Sequence, residues 1–153
     1  MARRIMLNGT SYFGQGAIQE IVNEIKNRHF KKVLVTSTPD LFEFKVATKV
    51  TDLLDAAGIA YDVYDNIKPN PTIENVTSGV VACKAAGAEA IVAVGGGSAI
   101  DTSKAIATIM TNPEFGDVRS LEGVAPTKHP CLPIIAVSTT SGTAAEVTIN
   151  YVI

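Results

Sequence analysis

The chain has 153 residues, 46% apolar and 18% charged, the balance of one domain folded around a buried core rather than of a disordered chain. A formal net charge of -2 and a pI near 5.6, with no Lys/Arg cluster interleaved with aromatics, argue against a nucleic-acid partner. No apolar stretch approaches the roughly 20 residues of a membrane span. The run Ile5-Met6-Leu7 breaks at Asn8, too short for a signal-peptide core, so a cytoplasmic protein without a membrane partner is expected.

After the short apolar run at Ile5 to Leu7 and a loop to Gly14, Ile18, Ile21, Val22 and Ile25 recur at i, i+3, i+4, i+7. That spacing predicts a helix with one buried face. Val33-Leu34-Val35-Thr36 is a compact apolar run of the kind buried in a parallel sheet. Pro39 is a good first helical residue, and the pattern through Val46, Val50 and Leu53-Leu54 predicts one helix closed by Gly58. Tyr61, Val63 and Tyr64 suggest a further strand. Lys68-Pro69-Asn70-Pro71 then forms a rigid loop that ends in Thr72, the N-cap of a helix over Ile73, Val76, Val80 and Cys83 that stops at Gly87.

Ala90-Ile91-Val92-Ala93-Val94 is the clearest buried strand, followed by a helix carrying Ile100, Ala107 and Met110 that ends before Asn112-Pro113. Residues 114 to 130 mix polarity and turn formers and read as a long surface connection. Pro133 to Val137 forms another buried strand. Thr148 to Ile153 has the β-branched and aromatic content of one more, and the sequence ends inside it, so a longer parent protein is expected. Strands alternating with crossover helices predict an α/β fold, a parallel sheet with helices on both faces.

Gly95-Gly96-Gly97-Ser98 sits between the best strand and a helix, where free backbone N-H groups and the helix dipole converge on one spot. Three glycines remove every Cβ that would keep a phosphate from the backbone, while Ser98 offers a cap or a hydroxyl. The spacing is not GxGxxG, so phosphate chemistry alone does not name the ligand. Asp101 stands three residues after Ser98, the capping-box position, and serves either as a cap or as a carboxylate facing a ribose hydroxyl. Lys104 lies on the same helical face and can pair with it.

Ser138-Thr139-Thr140-Ser141-Gly142-Thr143 places five hydroxyls at the same sheet edge. Such a loop suits ribose or phosphate, or it is an ordinary Ser/Thr turn. His29 and His129 read as solvated, and no His pair, Cys/His spacing or Ser-His-Asp arrangement marks a metal or nucleophile site. Cys83 and Cys131 read as buried free thiols in a reducing compartment.

Gly95-Gly96-Gly97-Ser98-x-x-Asp101-x-x-Lys104, followed by Thr139-Thr140-x-Gly142-Thr143-x-x-Glu146-Val147-Thr148, resembles the iron-containing (group III) alcohol dehydrogenases. The resemblance implies a Rossmann-like, dehydroquinate synthase-like N-terminal domain over residues 1-153. In it Gly95, Gly96, Gly97 and Ser98 would receive the pyrophosphate of NAD or NADP. Asn70, Thr139, Thr140, Thr143 and Asn150 would line the cofactor cleft, with Asp101 near the cofactor.

The resemblance also implies hydride transfer between small aldehydes and alcohols, with Fe2+ held by one Asp and three His of a C-terminal helical domain that this sequence does not contain. No metal ligand or catalytic residue is expected in the chain itself, which should be catalytically silent alone. Thr38 stands where the family pattern places an Asp that contacts the adenosine ribose and repels a 2'-phosphate, so weak discrimination between NAD and NADP is expected. Ser138 replaces a proline. A homodimer through strand exchange at Ile5-Met6-Leu7 is a further implication. The competing readings are a non-catalytic nucleotide-binding module and a polyol dehydrogenase-like relative.

Overall fold

A computed structural model describes residues 9–153, so the strand expected at Ile5 to Leu7 lies outside the described residues. Four parallel strands, β1 (Lys32–Thr36), β2 (Ala60–Tyr64), β3 (Ala90–Gly95) and β4 (Ile134–Ser138), form one sheet in the order β2-β1-β3-β4. The helices are α1 (Glu20–Asn27), α2 (Pro39–Glu43), α3 (Thr48–Ala57), α4 (Ile73–Ala86) and α5 (Gly97–Thr111).

Successive side chains of a strand point to opposite faces, and here both faces are covered. Val33, Val35, Val92 and Val94 pack with Ile21, Ile25, Val50 and Leu54 of α1 and α3. Leu34 and Ile91 point the other way, into Val76 and Val80 of α4 and Ile106 and Ile109 of α5. Burial on both sides explains why β1 and β3 read as continuous apolar runs rather than as alternating ones. Gly79 lets α4 lie close on α5, because a Cβ there would overlap Ile106 Cδ1.

From β1 the chain moves outward to β2 through α3, then returns across the sheet through α4 to place β3 on the other side of β1. The winding therefore reverses between β1 and β3, and the connections leave their C-terminal ends toward opposite faces. A crevice opens at such a switch point, and ligands of open α/β sheets bind there.

Four expectations are corrected. The single helix expected from Pro39 to Gly58 is two, because Lys45 adopts a left-handed backbone (φ 56) and the N-H groups of Val46 and Ala47 both turn back to the Leu41 carbonyl at 2.9 Å. The connection over 114 to 130 is not wholly superficial: it contains two short 3-10 turns, one of which buries Val118 and Leu121. Cys83 is buried, and burial pushes its thiol up to about 11, but Cys131 is exposed, although neighbouring chain desolvates its thiol enough to raise it. Thr148 to Ile153 forms no strand. Two of its backbone groups are taken by side chains of α5, the Asn150 carbonyl by Lys104 and the Val152 N-H by Asp101.

Candidate functional site

Gly95 ends β3 at φ 151 and its Cβ would lie 2.6 Å from Ala99 Cβ, so both its backbone and its packing require glycine. Gly96 is the N-cap of α5 in an extended conformation, and its Cβ would lie 2.8 Å from Thr140 Oγ1. Gly97 differs from both. It is the first residue of α5 with no left-handed φ, and a Cβ there would meet only Thr143, at an ordinary 3.7 Å.

No side chain caps α5, and no acidic residue stands in its first turn. Of the two roles open to Asp101, the capping box with Ser98 is absent: Ser98 is already the second helical residue, and Asp101 bonds Lys104 and the Val152 N-H. Reciprocal capping occurs instead on α4, where Asn75 Oδ1 accepts from the Thr72 N-H at 3.2 Å. An uncapped helix start leaves donors and a positive dipole end open to an anion.

The second hydroxyl-rich segment lies against this turn. β4 pairs with β3 from Ile91↔Ile134 to Gly95↔Ser138, and the Thr139 N-H donates to the Gly95 carbonyl at 3.0 Å. That register carries Thr140 to Gly96 and Thr143 to Gly97. Behind the turn, the buried hydroxyls are satisfied internally: Thr36 and Ser103 share a 2.7 Å bond and Ser37 donates to the Val94 carbonyl at 2.8 Å. Thr38, half-buried, is the N-cap of α2, two residues beyond β1.

A family model described as iron-containing alcohol dehydrogenase matches residues 8–153. The chain belongs to that family.

Lactaldehyde reductase of Escherichia coli (strain K12) is 52% identical over all 153 residues, which make up 40% of that protein. Among solved structures, an alcohol dehydrogenase from Oenococcus oeni superposes with a TM-score of 0.87 at 34% identity, over 96% of this chain and 38% of that one. Sulfoacetaldehyde reductase from Bifidobacterium kashiwanohense, in complex with NAD+, superposes at 0.82 with 28% identity, over 97% of this chain and 39% of that one. The chain thus spans about 40% of the length of the relatives it matches.

Most of the residues expected at a cofactor follow the C-terminal ends of the strands. Thr38 follows β1, Asn70 follows β2, Gly95 to Ser98 follow β3, and Thr139, Thr140 and Thr143 follow β4. Asn70 is exposed with a left-handed backbone (φ 53), a conformation its short amide tolerates. Asp101 lies one turn into α5, and Asn150 lies on the C-terminal segment that Lys104 holds. Asp101 pairs with Lys104 at 3.2 Å, and Lys104 reaches on to Thr148 and Asn150.

The glycine turn fits the pyrophosphate of a dinucleotide, because the space a Gly97 side chain would fill adjoins the open helix start. Fe2+ is not accommodated in the same way: among the described residues no group of three or more His, Cys, Asp or Glu could hold a metal ion. No described helix is long and apolar enough to cross a membrane. A groove of about 870 Å3 lies away from the turn, between the 118–127 connection and residues 149–153.

The sequence reading missed the hold of Lys104 on the C-terminal segment. Its only available signal was the i, i+3 spacing to Asp101, which says nothing of contacts 44 and 46 residues away. It also missed Asn112, a fully buried amide hydrogen-bonded through both its nitrogen and its oxygen, because an Asn before a Pro reads simply as a helix stop.

Proposed function

We propose that residues 1–153 form the NAD(P)-binding domain of an alcohol dehydrogenase that interconverts small aldehydes and alcohols, with a substrate class near that of lactaldehyde reductase. The observation that carries this reading is Gly97, a glycine at a position where the fold itself leaves room for a side chain. A ligand pressed against the backbone accounts for it.

In this reading the first-turn N-H groups of α5 and the Ser98 hydroxyl hold the pyrophosphate, and Thr139, Thr140 and Thr143 close over it from the β4 side. Asn70 and Asn150 flank the cleft, and Thr38 faces the adenosine ribose. Asp101 enters through its grip on the segment that carries Asn150. A nicotinamide dinucleotide held by these residues would supply or accept the hydride exchanged with the substrate carbon. The chain's own residues bind and orient; carbonyl polarisation and proton transfer fall to the remainder of a longer parent enzyme, so the 153-residue chain alone is catalytically silent.

Calorimetry of the purified chain tests this. NADH and NADPH are expected to bind with affinities within about threefold of each other, since no carboxylate at position 38 repels the 2'-phosphate. Thr38→Asp should then weaken NADPH relative to NADH by about tenfold through like-charge repulsion. NADH-only binding by the unaltered chain would overturn the cofactor preference, and absence of binding to NADH, NADPH and ADP would overturn the site. Metal-dependent aldehyde reduction by the chain would overturn its silence.

A further inference from the structure

The Lys104 ammonium has three donors and all three are used inside the chain, toward Asp101 Oδ1 at 3.2 Å, Thr148 Oγ1 at 3.2 Å and the Asn150 carbonyl at 2.8 Å. The second Asp101 oxygen accepts the Val152 N-H at 3.2 Å. Both side chains are largely withdrawn from water, Lys104 at 11% and Asp101 at 15% exposure.

The backbone groups taken are a matched pair. In a parallel ladder, one residue of a strand bonds the carbonyl of residue i-1 and the N-H of residue i+1 on its neighbour. With i at Tyr151, those groups are the Asn150 carbonyl and the Val152 N-H. Lys104 supplies the donor and Asp101 the acceptor that a neighbouring strand would present.

We propose that Asp101 and Lys104 are positioning residues, a side-chain latch that substitutes for a strand partner and fixes residues 148–152 along α5, beginning one turn beyond Gly97. The latch accounts for an Asp and a Lys on one face of α5, just beyond a first turn that carries no acidic residue. It also sets one wall of the groove lined by Asn150, Tyr151 and Val152. Its effect on dinucleotide binding rests on the reading that Asn150 flanks the cofactor cleft.

Amide hydrogen exchange on the 153-residue chain without ligand tests the latch. Lys104→Met and Asp101→Ala should each lower protection of the Val152 amide by about tenfold or more, the scale of a lost charge-assisted hydrogen bond. Amides of β1 and β3 should keep theirs, and Lys104→Arg should restore Val152 to within about threefold of the unaltered chain. Unchanged Val152 protection in Asp101→Ala, which removes its acceptor directly, would overturn the proposal even if Lys104→Met lost its fold. So would failure of arginine to rescue.

NADH titration adds a separate arm. Lys104→Met should weaken binding about as much as Asn150→Ala, and the double variant no further than Asn150→Ala alone; fully additive losses would overturn the latch as the route by which Asn150 is placed. Absence of NADH binding by the unaltered chain would sink the cofactor reading instead, while the exchange result stands by itself.

Discussion

Gly95→Ala is expected to destabilise the chain by about 2–5 kcal/mol, combining left-handed or strained backbone cost with overpacking. Alanine would have to adopt φ 151, and its methyl would stand 2.6 Å from Ala99 Cβ. Ala99 Cβ is fixed to the helix backbone and cannot rotate away, so the strand-to-helix junction itself must move. The junction carries more than its own bonds: the Gly95 carbonyl accepts from Thr139, and Gly95 pairs with Ser138. A loss of this size is a large share of the roughly 5–15 kcal/mol stability of an ordinary domain. Denaturant unfolding measures it, and a loss below about 1 kcal/mol would show that the turn is not constrained as described.

Asn112→Ala should cost about 2–4 kcal/mol through a different mechanism, the loss of a buried hydrogen-bonding hub. Its amide nitrogen, with two N-H groups, shares them among the Thr108 carbonyl, Thr111 Oγ1 and the His129 carbonyl at 2.9–3.0 Å, and its oxygen accepts from the Lys128 and His129 N-H groups at 3.0 and 2.9 Å. One side chain thus fastens the far end of the 113–130 connection to the C-terminus of α5. Asn112→Asp keeps the two accepted bonds but loses the donors and buries a charge, so it should be destabilised too, and increasingly so as the pH rises through the carboxylate range. Because Asn112 stands at the opposite end of α5 from the glycine turn, the folded fraction of Asn112→Ala should keep its NADH affinity within about threefold. An unfolding midpoint equal to that of the unaltered chain would contradict the assignment of Asn112 as a hub.

The layered α/β architecture was legible because its cause is local and repeated. Val33 to Val35 and Ala90 to Val94 are apolar on both faces, as strands covered on both faces must be, and Gly58 and Gly87 end their helices in the left-handed conformation glycine favours. Position in the chain also marked the glycine turn between β3 and α5. What the sequence could not distinguish was why each glycine is there: Gly95 and Gly96 answer to Ala99 and Thr140, and only Gly97 is free of such a demand.

The misreading of the last segment has its cause in contacts between residues far apart in sequence. Thr148 to Ile153 has strand composition, yet Lys104 and Asp101 take the backbone groups that a strand partner would use. Composition reports a preference for extended chain; it does not report who occupies its edge. The helix expected from Pro39 to Gly58 failed for a local reason: its apolar positions were kept, but the backbone broke at Lys45, where the N-H groups of Val46 and Ala47 both cap the Leu41 carbonyl.

Gly97→Ala isolates the ligand's demand from the fold's. The added methyl lies at an ordinary 3.7 Å from Thr143, and alanine in a helix is favoured over glycine by up to about 1 kcal/mol, so the variant should be as stable as the parent or slightly more so. Its NADH affinity in calorimetry should nevertheless fall at least about tenfold, because the methyl occupies the space where the pyrophosphate meets the first turn of α5. Undiminished affinity in a folded Gly97→Ala chain would contradict the assignment of this turn as the dinucleotide's cradle.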